Sequence, residues 1–300
     1  MSATIRPGAP ERPSAVRAWL LGARLKTLPV TLAPIAVGTA VAAADGSVRA
    51  WRTALTLLFA LGFVLGTNFL NDYSDGIRGA DDNRVGPVRL VGSGRASARQ
   101  VLRFGLALYG VATVAGLVMA VTISWWLLAL AALCALGGWF YTGGASPYGY
   151  RSLGDVSIFV FHGIIAVCAT TFIQLHRVPA TAVGAGVPMG LLACALLTTN
   201  NLRDIPTDSA AGKITVAVRL GERRTRVYYA LLVAAAFAAA LALAPQRPAV
   251  LLVVAAAPVA VLPLRLVLGG ARGAALIPAL EHTCWLLLAF GALLSTGLAL

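Results

Sequence analysis

Residues 53–82 read TALTLLFALGFVLGTNFLNDYSDGIRGADD. The apolar run that opens the segment is long enough to enter a bilayer, since a helix needs ~20 mostly apolar residues to cross the hydrocarbon core. Its last two turns then carry Asn68, Asp72 and Asp75, and Asp81 and Asp82 follow just past Gly79. The i, i+4, i+7 spacing of the first three predicts one stripe of oxygen-bearing side chains on a helix. Ionisable groups at the end of a membrane helix are expensive unless they face the interior of a bundle, where they mark function. So this one stretch predicts a membrane-spanning helix with a chemical site at its end.

The rest of the chain is consistent with that reading. Of 300 residues, 59% are hydrophobic and only 12% charged, and the mean hydropathy is +0.82. Soluble domains carry about 25% charged residues. Nine apolar segments are long enough to cross, at about 26–44, 53–76, 100–121, 123–142, 153–175, 180–203, 226–244, 249–268 and 279–300. The expectation is an all-α integral membrane protein of nine transmembrane helices. Residues 1–22 form a polar N-terminal arm without the pattern of a cleaved signal, and 23–300 form a single membrane domain.

The net charge of +13 does not point to nucleic acid, because its distribution follows a membrane. All but four of the 24 Lys and Arg fall on the arm or on connections after even-numbered spans; the exceptions are Arg49, Arg52, Arg177 and Arg247. Positive charge marks the cytoplasmic side. The N-terminus and two long polar connections, roughly 77–99 and 204–225, are therefore expected in the cytoplasm, with the C-terminus opposite. Cys134, Cys168, Cys194 and Cys284 lie singly in apolar runs, giving neither a disulfide framework nor a CxxC metal site. His162, His176 and His282 show no ligand spacing and read as packing residues.

A second acid stripe ends the sixth span in TTNNLRDIPTDSAAGK, residues 198–213. Asn200, Asp204 and Asp208 repeat the i, i+4 interval, and Pro206 within it predicts a kinked turn around Asp208. The two windows hold six of the chain's eleven acids. Facing each other, they would form an oxygen cage suited to Mg²⁺, which is usually held by one or two carboxylates together with substrate phosphates. The expected ligands are Asn68, Asp72, Asp75, Asp81, Asn200, Asp204 and Asp208, with Asp72, Asp75, Asp204 and Asp208 central to catalysis. The alternative is that these acids only pair with arginines at the membrane surface.

Arg84, Arg89, Arg203 and Lys213 flank the acids and could neutralise a departing diphosphate. Anchoring to lipid headgroups is the other role open to them. A third window, WFYTGGASPYGYRSLGDV at 139–156, adds Tyr141, Arg151 and Asp155 as candidate substrate-binding residues. No GxxxxGK[ST] loop occurs, so ATP-driven transport has no support.

Together, NFLNDYSDGIRGADDNRVGPVRLVGSG, YTGG…PYGYRSLGDV, NNLRDIPTDSAAGKITVAVRLG and the opening ARLKTLP resemble the intramembrane aromatic prenyltransferases of the UbiA superfamily. The branch they most resemble acts on 1,4-dihydroxy-2-naphthoate. Gly79 stands where the wider superfamily often has Asp, which favours this branch; Leu25 stands where Pro is common. The resemblance implies nine helices around a central cavity, capped by the two cytoplasmic motif loops. It implies Mg²⁺ as cofactor and transfer of a polyprenyl group from polyprenyl diphosphate to the naphthoate ring. Decarboxylation and oxidation then lead to demethylmenaquinone, a step of menaquinone biosynthesis. Membrane lipid is the surrounding partner, and no protein partner is readable. Another acceptor, such as 4-hydroxybenzoate, remains open on the same fold. A transporter is a different class, but it would place its acids near the bilayer midplane.

Overall fold

A computed structural model describes residues 15–79 and 89–300. Every regular element in them is helical. A short helix, α1 (Ala15–Ala23), leads through a 3₁₀ turn into α2 (Pro29–Asp45), and the two are bent by 44°. Arg24 turns the corner in the left-handed region at φ 54°, and Pro29 opens the new helix at a position that needs no N–H donor. Residues 15–22 of the expected polar arm thus include a helix.

The chain continues through α3 (Ala50–Ile77), α4 (Ala98–Thr122) and α5 (Trp126–Thr142). After α5 come the short α6 (Gly154–Ile158), a π-helical segment Phe159–Ile165 and α7 (Ala166–Leu175), which together make one membrane-length rod. Then follow α8 (Ala180–Ala210), α9 (Val216–Leu241), α10 (Ala257–Leu268) and α11 (Ile277–Ala299). Among the described residues, seven helices are long and apolar enough to cross a membrane, and eight when the bent α1–α2 pair counts as one. Trp126–Thr142, with 17 residues, is a shorter apolar helix. The chain is an integral membrane protein.

Small residues let the rods approach. A Cβ on Gly62 of α3 would sit 3.0 Å from the Leu108 carbonyl of α4, and one on Gly105 would meet Leu70 at 3.1 Å. Without a hydrophobic force between helices in lipid, such close backbone contact supplies the packing. One large core joins α2, α7, α8, α9, α10 and α11 around Val37, Met189, Tyr229, Leu287 and Phe290. The outward faces of α4 and α5 stay apolar and exposed, with Val114, Val121, Leu133 and Leu136 among them, as a lipid-facing surface requires.

The connection expected at 204–225 is mostly helix. α8 runs unbroken through Pro206 to Ala210, and only residues 211–215 separate it from α9. Proline removes one backbone donor, so the Leu202 carbonyl loses its i+4 partner, yet the helix continues for another turn. The kinked turn expected around Asp208 is therefore a regular helical turn. The real break comes later, at Gly221, whose φ of 73° bends α9.

Candidate functional site

The acid-bearing ends of α3 and α8 lie at the same end of the bundle, joined by the segment after α5. Tyr150 connects them. Its hydroxyl donates to Asp75 Oδ1 at 3.2 Å, its carbonyl accepts from Ile214 N at 3.0 Å, and Arg151 and Ile214 form an isolated parallel bridge. Lys213 Nζ lies 5.8 Å above the Tyr150 ring and 3.2 Å from Asp208 Oδ1. The expected facing of the two stripes is thus mediated by one tyrosine and one lysine.

On α8, the stripe neutralises itself. Arg203 donates from Nε to Asp204 Oδ1 at 2.7 Å and from Nη2 to Oδ2 at 2.6 Å. The same Nη2 reaches Asn200 Oδ1 at 2.7 Å. This fork of parallel bonds fixes both the carboxylate and the guanidinium in a buried position.

On α3 the residues of the expected stripe contact three different parts of the chain. Asn68 donates to the Ala23 carbonyl at 3.1 Å, tying α3 to the corner of the α1–α2 bend. Asp72 is fully buried and turns to the incoming loop, where Oδ2 accepts from Leu90 N at 2.8 Å and Oδ1 from Val91 N at 3.0 Å. Asp75 faces the site, with Arg89 Nη2 3.7 Å from its Oδ2. Successive helical residues are rotated by about 100°, so Asn71 looks a different way from Asp72. It accepts from Thr142 Oγ1 at 2.6 Å and lines the central cavity. Sequence reasoning missed Asn71, although its i, i+4 interval to Asp75 is the interval from Asn200 to Asp204.

The pin at Asp72 also places Arg89, because the same short segment carries Arg89, Leu90 and Val91. Asp81, Asp82 and Arg84 lie outside the described residues. Arg151 is exposed on the bridging segment. Asp155 is buried elsewhere: it accepts from Tyr228 at 3.1 Å, and its carbonyl accepts from Cys194 Sγ at 3.2 Å, so it joins α6 to α8 and α9. Tyr141 does line the cavity, edge-on to Tyr148 at 5.6 Å. Burial, and then the neighbouring Asp75 carboxylate, hold the Tyr150 hydroxyl protonated well above the ordinary phenol range.

Beneath these groups lies a cavity of about 670 Å³. Its mouth is polar, with Asn71, Arg89, Asn200, Arg203, Arg24 and Lys26 on its rim. Lys26 Nζ bridges to Glu281 Oε1 at 2.5 Å, closing α11 against the start of α2. Its depth is apolar, with Phe59, Phe63, Met119, Leu127, Phe161 and Ile173 in the walls. The arrangement can hold an anionic head at the mouth and a long apolar tail below, away from water.

Among the described residues, no three His, Cys, Asp or Glu side chains cluster closely enough to hold a metal ion by themselves. Asn71 and Asp75 on α3 and Asn200, Asp204 and Asp208 on α8 lie at the same end of the bundle and present hard oxygen atoms. Mg²⁺ commonly takes one or two carboxylates and completes its shell with water and substrate phosphates. The donor chemistry fits a metal that arrives with a diphosphate.

The model of the UbiA prenyltransferase family matches residues 31–275. The chain is 45% identical over 280 residues to the 1,4-dihydroxy-2-naphthoate octaprenyltransferase of Mycobacterium tuberculosis, covering 92% of this chain and 96% of that protein. It is 36% identical over 226 residues to the Escherichia coli protein of the same name, covering 73% of each. In fold it resembles a UbiA homolog from Aeropyrum pernix, with a TM-score of 0.70 at 17% identity over 88% of this chain and 96% of that one. A UbiA homolog from Archaeoglobus fulgidus bound to GPP and Mg²⁺ superposes with a TM-score of 0.61 at 16% identity, covering 93% and 99%. This chain belongs to the UbiA prenyltransferase family.

Proposed function

We propose that this protein transfers a polyprenyl group from a polyprenyl diphosphate to 1,4-dihydroxy-2-naphthoate, with loss of the ring carboxylate as CO₂. The product of the transfer is the hydroquinone form of demethylmenaquinone. The observation that carries the reading is the polar mouth of a deep apolar cavity, lined by Asn71, Arg89, Asn200 and Arg203, with Asp75 and Asp204 paired to those arginines. The relatives from Mycobacterium tuberculosis and Escherichia coli, both named as naphthoate octaprenyltransferases, supply the acceptor.

Asn71, Asp75, Asn200, Asp204 and Asp208 would hold Mg²⁺, with Asp81 as a further candidate ligand. When bound, the metal neutralises the diphosphate and makes it a better leaving group. The chain's own cations act on the same charge. Arg203 is held in a fixed place by Asp204 and Asn200, while Arg89 and Lys213 stand beside the two stripes. Preorganised charge of this kind costs little reorganisation as the carbon–oxygen bond breaks. The apolar walls exclude water, so the allylic cation meets the ring carbon before it meets a hydroxyl. Aromatic faces such as Tyr141 and Phe161 lie where they can stabilise that cation. Asp72 plays a different part, fixing the backbone of the segment that delivers Arg89.

In the membrane, the bent α1–α2 pair would count as one crossing and α5 as another. At 17 residues α5 spans roughly 25 Å, at the short end of the usual range. That makes nine crossings, with the N-terminus and mouth cytoplasmic and the C-terminus opposite.

The test is reconstitution in lipid with 1,4-dihydroxy-2-naphthoate and a polyprenyl diphosphate, followed by mass spectrometry with Mg²⁺ and with chelator. Prenylated, decarboxylated product formed only with Mg²⁺ supports the reading. Prenylation of 4-hydroxybenzoate instead would replace the acceptor, and no prenylation by folded protein would refute the function.

A further inference from the structure

Below its charged rim, the cavity lining carries two uncharged polar side-chain atoms left unsatisfied among the described residues. Thr31 Oγ1 and His162 Nδ1 are both buried without a hydrogen-bond partner among the described residues, and both residues line the cavity. Thr31 shares this with Thr198, which does not line the cavity, and differs from other helix threonines. Thr39, Thr56, Thr67, Thr170 and Thr199 each donate to the carbonyl four residues earlier, the ordinary way for a helix to satisfy a hydroxyl. Thr31 does not.

His162 sits in the middle of the π-helical segment Phe159–Ile165. Single π turns recur at functional sites because the extra residue re-aims its neighbours. Here the turn is pinned by backbone contact. A Cβ on Gly163 would lie 2.5 Å from Gly190 Cα, and one on Gly190 would lie 2.7 Å from the Phe159 ring. The helix cannot slide to relieve the π turn without breaking this contact.

The two unsatisfied atoms lie at one depth. A Cβ on Gly38 would sit 2.6 Å from the Val167 carbonyl, and Thr171 Oγ1 donates to Gly38 O at 2.9 Å. Further along, Gly46 meets Leu175. The two helices therefore run parallel, and Thr31, two turns before Gly38, falls level with residues 160–164. The Gly163–Gly190 contact sets that level ten residues of α8 below Asn200, ~15 Å along the axis. Side chains lean towards the N-terminal end of their own helix. On α6 and the π segment that end is the mouth, whereas on α8 it is the far side, so His162 and Asn200 lean towards each other.

Resting on the proposed function, we infer that Thr31 and His162 form the subsite that hydrogen-bonds the hydroxyl groups of the aromatic acceptor. A polyprenyl tail has no atom to satisfy either group. A diphosphate needs the charge of the mouth, and a carboxylate without a cation is costly in an apolar interior. A neutral, hydroxylated ring matches both atoms, because an imidazole nitrogen and a threonine hydroxyl can each donate or accept. The ring then lies between this pair and the diphosphate, with the reacting carbon on the mouth side. Its carboxylate points towards the basic rim.

The experiment is steady-state kinetics of the full chain in lipid nanodiscs, with 1,4-dihydroxy-2-naphthoate and a polyprenyl diphosphate varied separately. The variants are His162→Phe, His162→Gln and the near-isosteric Thr31→Val. His162→Phe and Thr31→Val raise the acceptor KM by about tenfold and leave the diphosphate KM within twofold; His162→Gln recovers most of the loss. A second readout uses 1-hydroxy-2-naphthoate, which lacks one hydroxyl. Wild type discriminates against it in binding, and the variants lose that discrimination, which a purely structural role would not produce. Unchanged acceptor KM in folded variants overturns the subsite. A rise confined to the diphosphate KM overturns it as well, assigning the pair to the tail channel. Absence of wild-type turnover on dihydroxynaphthoate would instead overturn the functional reading, so the two failures are distinguishable.

Discussion

The ends of α3 and α8 carry the same motif, an asparagine followed four residues later by an aspartate, in two different settings. On α8 the stripe brings its own counter-charge, because Arg203 lies one residue from Asp204 and one turn from Asn200. On α3 the partners come from elsewhere. Asp75 meets Tyr150 and Arg89, both delivered by other parts of the chain, and Asp72 is committed to holding one of those parts in place. The α8 half is preformed by local sequence, whereas the α3 half is assembled by the fold.

The largest effect separates the two halves by their common function. Asp75→Asn and Asp204→Asn should each lower turnover by roughly 10³-fold or more, in line with losing metal and oxyanion stabilisation. Turnover assays on folded, detergent-purified protein check this. They differ in stability, though. Replacing Arg203 by Ala breaks a buried ion pair and should cost about 3–5 kcal/mol, while Arg203→Lys keeps the charge but loses the fork and should lower kcat/KM by roughly 10²-fold. Thermal unfolding and kinetics on the pair measure both.

Asp72→Asn sharpens the contrast on α3. Asparagine keeps one acceptor oxygen for Leu90 and Val91 where aspartate offers two. Stability should fall by about 1–3 kcal/mol and turnover by about tenfold, far less than for Asp75→Asn. An equal loss in both variants would make Asp72 a direct ligand and dissolve the division of labour.

How much of this was legible follows the same division. Hydropathy alone located the helical segments, because lipid forces apolar residues into continuous runs. The α8 stripe was legible too, since its partners lie within one helical turn. The extension of α8 through Pro206 was not, because local propensity cannot weigh a single missing donor against the packing of the remaining helix. On α3, Asn71 could have been found from its interval to Asp75. The role of Asp72 could not, because its partners Leu90 and Val91 lie 18 and 19 residues away and arrive only when the chain folds back.

A smaller effect tests the bridge between the halves. Burial and Asp75 raise the Tyr150 pKa above its ordinary value near 10. The unfolded chain therefore ionises first as pH rises, and the contribution of Tyr150 to stability is intact below about pH 10 and lost above it. Wild-type thermal stability should drop above that pH, and Tyr150→Phe should flatten part of the drop. The same substitution should lower turnover by no more than about tenfold, as expected for losing one hydrogen bond.

The central claim is that both helix ends grip one diphosphate. The direct measurement is Mg²⁺-dependent binding of a polyprenyl diphosphate, by titration calorimetry in nanodiscs, to wild type, Asp75→Asn, Asp204→Asn and the double variant. A shared site predicts that each single variant abolishes the Mg²⁺-dependent part and that the double variant loses nothing further. Independent, additive losses, or full Mg²⁺-dependent binding in either single variant, would contradict it.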